Sequence, residues 1–220
     1  MTIKEAPTLT WGDIQILSIR KMFLNSGNVT KNDLPSMRAD NNKLYNIYLN
    51  AMPAVCNEGI NIIIQSGYKI YDRIELTDEN ISDVQIADDK DLVIIDLRTI
   101  DEEFHRVNSI LVNNRIYNDY SIKAGRYLYL NKDVFENNSV SVIYEIFPFI
   151  DINEDITDDE KVINMPYEAA ILLPLFIASE LYKDDDLTLS TVYRNQFEAE
   201  LERLTTPDDD DAFVDVHGWV

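Results

Sequence analysis

Sulfur chemistry has almost no foothold in this chain. Cys56 is its single cysteine, so no intrachain disulfide can close and no thiolate zinc site can be built, a usage that fits a reducing cytoplasm. Basic residues are scarce too: 19 Lys and Arg stand against 40 Asp and Glu, a formal charge of −21 that the 2 histidines cannot change. Such a surface repels phosphate, which disfavours ordinary DNA or RNA binding and suits a wall past which DNA slides; its plainest consequence is solubility. No apolar run nears the ~20 residues that a membrane-spanning helix needs, and the opening MTIKEAPTLTW lacks a basic stretch followed by an apolar one. The expectation is no membrane association and no visible secretion signal. Walker A, Gly-x-Gly-x-x-Gly, Gly-x-Ser-x-Gly and His-Glu-x-x-His patterns are all missing, so nucleotide, hydride and hydrolase chemistry lose their usual signals.

What is present is a foldable core. A hydrophobic share of 45% over 220 residues is enough for one large or two small domains. Residues 164–204 read as two antiparallel helices around an acidic turn. Asn164 is the expected N-cap, with Pro166 in the first turn, and residues 169–177 are apolar on every side, which marks a buried helix that Pro174 should kink or open. After Lys183-Asp184-Asp185-Asp186, Thr188 or Ser190 caps an amphipathic helix with Tyr193, Phe197, Leu201 and Leu204 inward and Arg194, Glu198, Glu202 and Arg203 outward. The candidate helical core comprises Trp11, Leu172, Leu173, Phe176, Phe197 and Leu201.

At the other end, Thr10 and Asp13 make an approximate capping box for a helix running to about Phe23, stopped by Asn25-Ser26-Gly27-Asn28. A loop holding Leu34-Pro35 precedes a helix capped by Asp40 and carrying Leu44, Ile47 and Tyr48. Pro53 kinks it or starts a third, which ends at Ser66-Gly67. From Tyr68 the period changes to alternation: residues 68–76, 92–97, 107–112, 115–120, 127–130 and 140–147 are strand candidates separated by Asp, Asn and Gly. The reading is α+β: a helical bundle made by both chain ends (1–67 and 151–206), an inserted β-sandwich or small barrel (68–150), and a C-terminal arm (207–220). Residues 150–161 read as an acidic connector without clear structure. In the arm, Pro207 and Asp208-Asp209-Asp210-Asp211 precede Phe213, Val214, Val216, Trp219 and Val220, an apolar peptide on an extended tether.

No residue stands out as catalytic. His105 is a lone histidine beside a strand, Cys56 lies on an apolar helix face, and 40 carboxylates make every acidic pair commonplace. The Asp184–186 and Asp208–211 runs lack the alternation and glycine of an EF-hand loop, so they read as solvated turns. No cofactor, metal or enzymatic activity is expected. Tyr68, Tyr71, Tyr117, Tyr120, Tyr127, Tyr129 and Tyr144 suit half-buried strands, and also a sugar-stacking surface.

The string MPYEAAILLPLFIASELYKDDD, followed by STVYRNQFEAELERL, resembles the C-terminal helical pair of head-tail connector, or adaptor, proteins of tailed bacteriophages. Trp11-Gly12-Asp13-Ile14 through Met22-Phe23, then Tyr48-Leu49 and Pro53, resemble their N-terminal helices. About half of the chain, its two ends, carries the resemblance. It implies a non-enzymatic virion protein made in the host cytoplasm: a homo-oligomeric ring, usually a dodecamer, in the neck. Portal and tail or neck proteins would be its partners, the arm would contact the portal or a neighbouring subunit, and double-stranded DNA would pass without specific binding. An acidic DNA-mimic inhibitor, a carbohydrate-binding β-domain protein and an unrecognised hydrolase are the competing readings.

Overall fold

Thr10 closes the first helix, α1 (Trp11–Met22), from both directions. Its hydroxyl accepts the Asp13 N–H at 3.3 Å, and the Asp13 carboxylate accepts the Thr10 N–H at 3.0 Å. The computed structural model describes residues 8–23, 28–39, 43–77, 85–86, 91–151 and 157–206. A 3-10 turn at Lys31–Asp33 leads into α2 (Leu34–Met37), and α3 (Lys43–Gln65) follows. Then come β1 (Tyr71–Leu76), β2 (Gln85–Ile86), β3 (Leu92–Asp96), β4 (Phe104–Val112), β5 (Arg115–Tyr117), β6 (Ser121–Lys123), β7 (Tyr127–Asn131), α4 (Lys132–Asn137) and β8 (Val140–Ile146). The helices α5 (Tyr167–Ala170), α6 (Leu173–Leu181) and α7 (Leu187–Thr205) end the described chain. The fold is α+β, and the chain divides into two compact units: Met1–Tyr68 with Phe149–Val220, and Lys69–Pro148.

In the first unit α6 is the hub, touching α1, α3 and α7. Its Leu173, Phe176, Ile177 and Ala178 are wholly inaccessible to solvent, as are Trp11 of α1 and Phe197 of α7; Leu172 and Leu201 are buried as well. The Phe176 and Phe197 rings meet at 5.1 Å. A residue without a side chain lets α3 approach: a Cβ on Gly59 would lie 2.9 Å from Phe176 Cδ1. The helix α3 stays unbroken with Pro53 inside it. Burial of Leu49, Met52, Cys56, Ile60 and Ile63 along one face outweighs the roughly 3 kcal/mol that an internal proline costs.

Several local expectations give way to tertiary contacts. Leu34-Pro35 lies in a helix, not a loop, with the proline in its first turn. Leu44 and Ile47 are 56% and 68% exposed instead of packed. Asn164 is not the cap of the following helix; Pro166 occupies that position, and α5 and α6 are separated at Ile171-Leu172, with Pro174 starting α6. Asp186, not Thr188 or Ser190, caps α7 by accepting the Leu189 N–H at 2.9 Å, because the Ser190 hydroxyl is buried and donates to the Ser179 carbonyl at 2.8 Å. Arg194 does not point outward: it lies over the Phe176 and Phe197 rings and pairs with Glu180 and Glu198 at 3.2 and 2.7 Å. Asp40 and Asn25-Ser26-Gly27 lie outside the described residues.

The acidic connector is the largest correction. Its described residues are docked at both ends: Asn57 donates to the Ile150 carbonyl at 2.9 Å and accepts the Ile150 N–H at 2.8 Å, and from residue 157 the chain is a strap on α1. The carbonyls of Lys161 and Asp159 accept the Trp11 and Gly12 N–H groups at 2.7 and 2.9 Å, and Thr10 bridges to Val162. First-turn amides have no partner within their own helix, so a strap of carbonyls satisfies them. A Cβ on Gly12 would sit 2.7 Å from the Asp159 carbonyl oxygen, a backbone atom that cannot yield without lifting the strap. Gly12→Ala is therefore expected to lower stability by about 1–2 kcal/mol despite alanine's better helix propensity, read as a melting point several degrees lower.

In the second unit, two antiparallel sheets run β1-β8-β4-β5 and β2-β3-β7-β6. Val93 opposes Leu130 and Ile95 opposes Leu128, all buried, while Ile110 opposes Val142 in the other sheet. Residues Asn113 and Asn114, at φ 50° and 62°, turn β4 into β5 as a two-residue hairpin loop. Strand β8 is buried on both faces, which its alternating sequence does not announce. Ser141 is covered by Arg73, at 3.1 Å, and Glu145 by Arg106 and Lys69, at 2.8 and 3.3 Å.

Two carboxylates couple these contacts to pH. Burial pushes the Asp13 carboxyl up, but the Thr10 hydrogen bonds and the Lys31 ammonium outweigh it and hold it below its ordinary value. Glu145 is likewise raised by burial and lowered further by Arg106 and Lys69. A depressed carboxyl contributes stability above its unfolded pKa and loses it as pH falls through the folded value. Stability should thus decline from about pH 4 downward, and Asp13→Asn should flatten that acid limb in pH-dependent urea melts.

Candidate functional site

A helix that stops and restarts leaves a gap on its outer side. Pro174 has no N–H to continue a ladder from α5, so the chain turns at Ile171-Leu172 and begins α6 anew. The gap is the floor of an apolar groove of about 290 Å³, walled by Leu17 and Lys21 of α1, Ile171, Leu172, Pro174 and Leu175, and Glu200 of α7. That volume is at the low end for ligand sites, roughly 300–1,000 Å³, and suits one or two large side chains better than a cofactor.

The charge at its lip is asymmetric. Glu200 is bound by Arg203 at 3.0 Å. Lys21 lies 5.5 Å from the Tyr193 ring centroid, and among the described residues no carboxylate is within ion-pair distance of its ammonium. Burial lowers its pKa. Tyr193 fixes this end of α1 by donating its hydroxyl to the Lys21 carbonyl at 2.6 Å.

The residues weighed for chemistry are not brought together. Cys56 is completely buried and its thiol is pushed up to about 12 by that burial, so it is no nucleophile. His105 is exposed and stacks on Phe147 at 4.1 Å. Asp185 accepts the Tyr48 hydroxyl, and Asp186 is a helix cap. Among the described residues there is no cluster of three His, Cys, Asp or Glu able to hold a metal, and no helix long and apolar enough to cross a membrane. The tyrosines go to separate partners: Tyr144 donates to Asp101 at 2.7 Å, Tyr129 faces Lys123, Tyr127 faces Arg126, and Tyr68 donates to Glu168 at 3.0 Å. Phe213, Val214, Val216, Trp219 and Val220 lie outside the described residues. Sequence reasoning foresaw an opening at Pro174. It missed Lys21, whose place against Tyr193 depends on the packing of α1 and α7. No family model matches the chain, and no curated protein matches it.

Proposed function

We propose that this protein is a head-tail adaptor of a tailed bacteriophage, a virion structural protein that forms a ring beneath the portal and part of the DNA channel. The observation that carries the reading is the joint packing of the two segments bearing the resemblance: α1, from near the start, and α7, near the end, both rest on α6. On this reading the helical unit is a bundle that meets the portal and adjacent copies, and the two sheets are the layers of an inserted sandwich or small barrel. The charge of −21 lets duplex DNA pass without being held. No enzymatic step, cofactor or metal is assigned.

Portal-bearing heads that lack this protein should bind it and become competent for tail attachment, and images of those particles should place ring density below the portal. The purified protein should bind duplex DNA more weakly than about 0.1 mM at physiological salt, the weak end of non-specific binding. A lasting monomer that ignores such heads, or micromolar DNA binding, would overturn the assignment.

A further inference from the structure

The outward face of the β1-β8-β4-β5 sheet carries a cluster of rings around a charged centre. Tyr71 of β1 and Arg106 of β4 both sit opposite Glu145 of β8. The three side chains therefore leave the sheet on one side, away from the buried Val142, Tyr144 and Ile146. Phe147, two residues past Glu145, follows on that side by the same alternation. Strand β4 has one residue too many at this point: Phe104 opposes Ile146 and Arg106 opposes Glu145, leaving His105 as the extra residue of a bulge. The bulge lays the imidazole on the Phe147 ring, 4.1 Å away and 18° from parallel. Tyr71 stays 46% and Phe147 40% exposed, so ring surface is open to solvent.

The charged centre is built around one nearly buried carboxylate. Glu145 is 9% exposed, and Arg106 and Lys69 both meet its Oε1, at 2.8 and 3.3 Å. Among the described residues none donates to Oε2, and that oxygen is not sealed from solvent. The Arg106 and Lys69 side chains are 57% and 51% exposed, and each keeps N–H groups beyond the one given to Glu145. We propose that this face binds a neutral saccharide. One sugar ring lies with its C–H face on Tyr71, beside the His105–Phe147 stack, and a vicinal pair of its hydroxyls donates to Glu145 Oε2 and accepts from Arg106 or Lys69.

The chemistry separates this ligand from the others that a sheet face could take. An open carboxylate oxygen beside spare N–H groups offers acceptor and donors together. A hydroxyl is both donor and acceptor, whereas an ionised carboxylate or phosphate meets Oε2 with like charge. A nucleic acid would bring further phosphates to a chain of net charge −21. A peptide cannot reach Glu145 by adding a strand, since both edges of β8 are taken, by β1 and β4. The two cations already fix the Glu145 side chain, so little of its freedom is lost on binding. The site adds to the adaptor reading and does not depend on it.

The test uses the full chain, with dextran-, mannan-, galactan- and chitin-derived hexasaccharides as probes in saturation-transfer NMR. At least one should receive transfer at its C–H protons, with a Kd on the order of 1 mM or tighter. Tyr71→Ala and Arg106→Ala should each weaken that binding at least ~10-fold with circular dichroism unchanged, while Tyr71→Phe, which keeps the ring, retains it. Lys69→Ala, outside the strands, should weaken it too and carries the test if a change within β1 or β4 disturbs the sheet. Raising salt from about 0.05 to about 0.5 M should leave the affinity as it was, because a neutral sugar has no charge to screen. The proposal fails if no probe binds at about 10 mM, or if binding survives in the folded alanine variants. It also fails if inorganic phosphate displaces the sugar or added salt releases it, either of which would make the face an anion site.

Discussion

Leu173→Asp is expected to unfold the helical unit. Leu173 is fully inaccessible at the start of α6, and its Cδ2 is one of the atoms that a Cβ on Gly59 would meet, at 3.2 Å. The substitution forfeits the roughly 1.5–3 kcal/mol of burying a leucine and puts a carboxylate at a position closed to solvent. Several kcal/mol of desolvation follow unless the group takes up a proton. A combined loss of about 5 kcal/mol or more is comparable to the whole stability of an ordinary domain, about 5–15 kcal/mol. Helical circular dichroism and the shielding of Trp11 should both be lost at room temperature, with partial recovery at acid pH, where the aspartate is neutral. A variant that melts like wild type would mean that α6 is not the centre of the unit.

Arg38→Met should be the next most damaging change. The Arg38 guanidinium grips the Asp159 carboxylate with both terminal nitrogens, one at 3.0 Å, and donates to Gln15 Oε1 at 2.6 Å. The side chains of Arg38 and Asp159 are only 14% and 18% exposed, and Gln15 is fully buried. Removing one member of a buried pair strands the other, at a cost of about 3–5 kcal/mol; the remaining exposure of Asp159 places the expected loss near ~3 kcal/mol. The double variant Arg38→Met/Asp159→Leu should recover part of that loss, since no lone charge remains. Urea melts of the set give the coupling energy, and a loss below about 0.5 kcal/mol for Arg38→Met would show that Asp159 is solvated well enough without its partner.

This pair marks the boundary of what could be read from the chain. Thr10 and Asp13, three residues apart, specify their cap within one turn, and the alternation at residues 140–147 or the glycine at position 67 acts over similarly short spans. The all-apolar α6 is legible as buried because no other environment accepts a helix without a polar face. Arg38 and Asp159, by contrast, stand 121 residues apart, and neither differs locally from many other charged residues here. The strap looked structureless because its stabilising partners are the first-turn amides of α1, about 150 residues earlier in the chain. Arg194 looked solvated because the rings beneath it come partly from α6. The groove is a further step removed, since it requires the break at Pro174, the approach of α1 and the position of Glu200 together. The sequence by itself determined the α+β class and the longer helices and strands with their apolar faces, all governed by interactions within about one turn or one strand; it missed the short helices α2 and α4. The tertiary structure decided the docked strap, the α7 cap, the unbroken α3 and the placing of Lys21 against the Tyr193 ring. Each depends on burial and charge contributed by residues distant in sequence, and these outweigh local preferences of only a few kcal/mol at most.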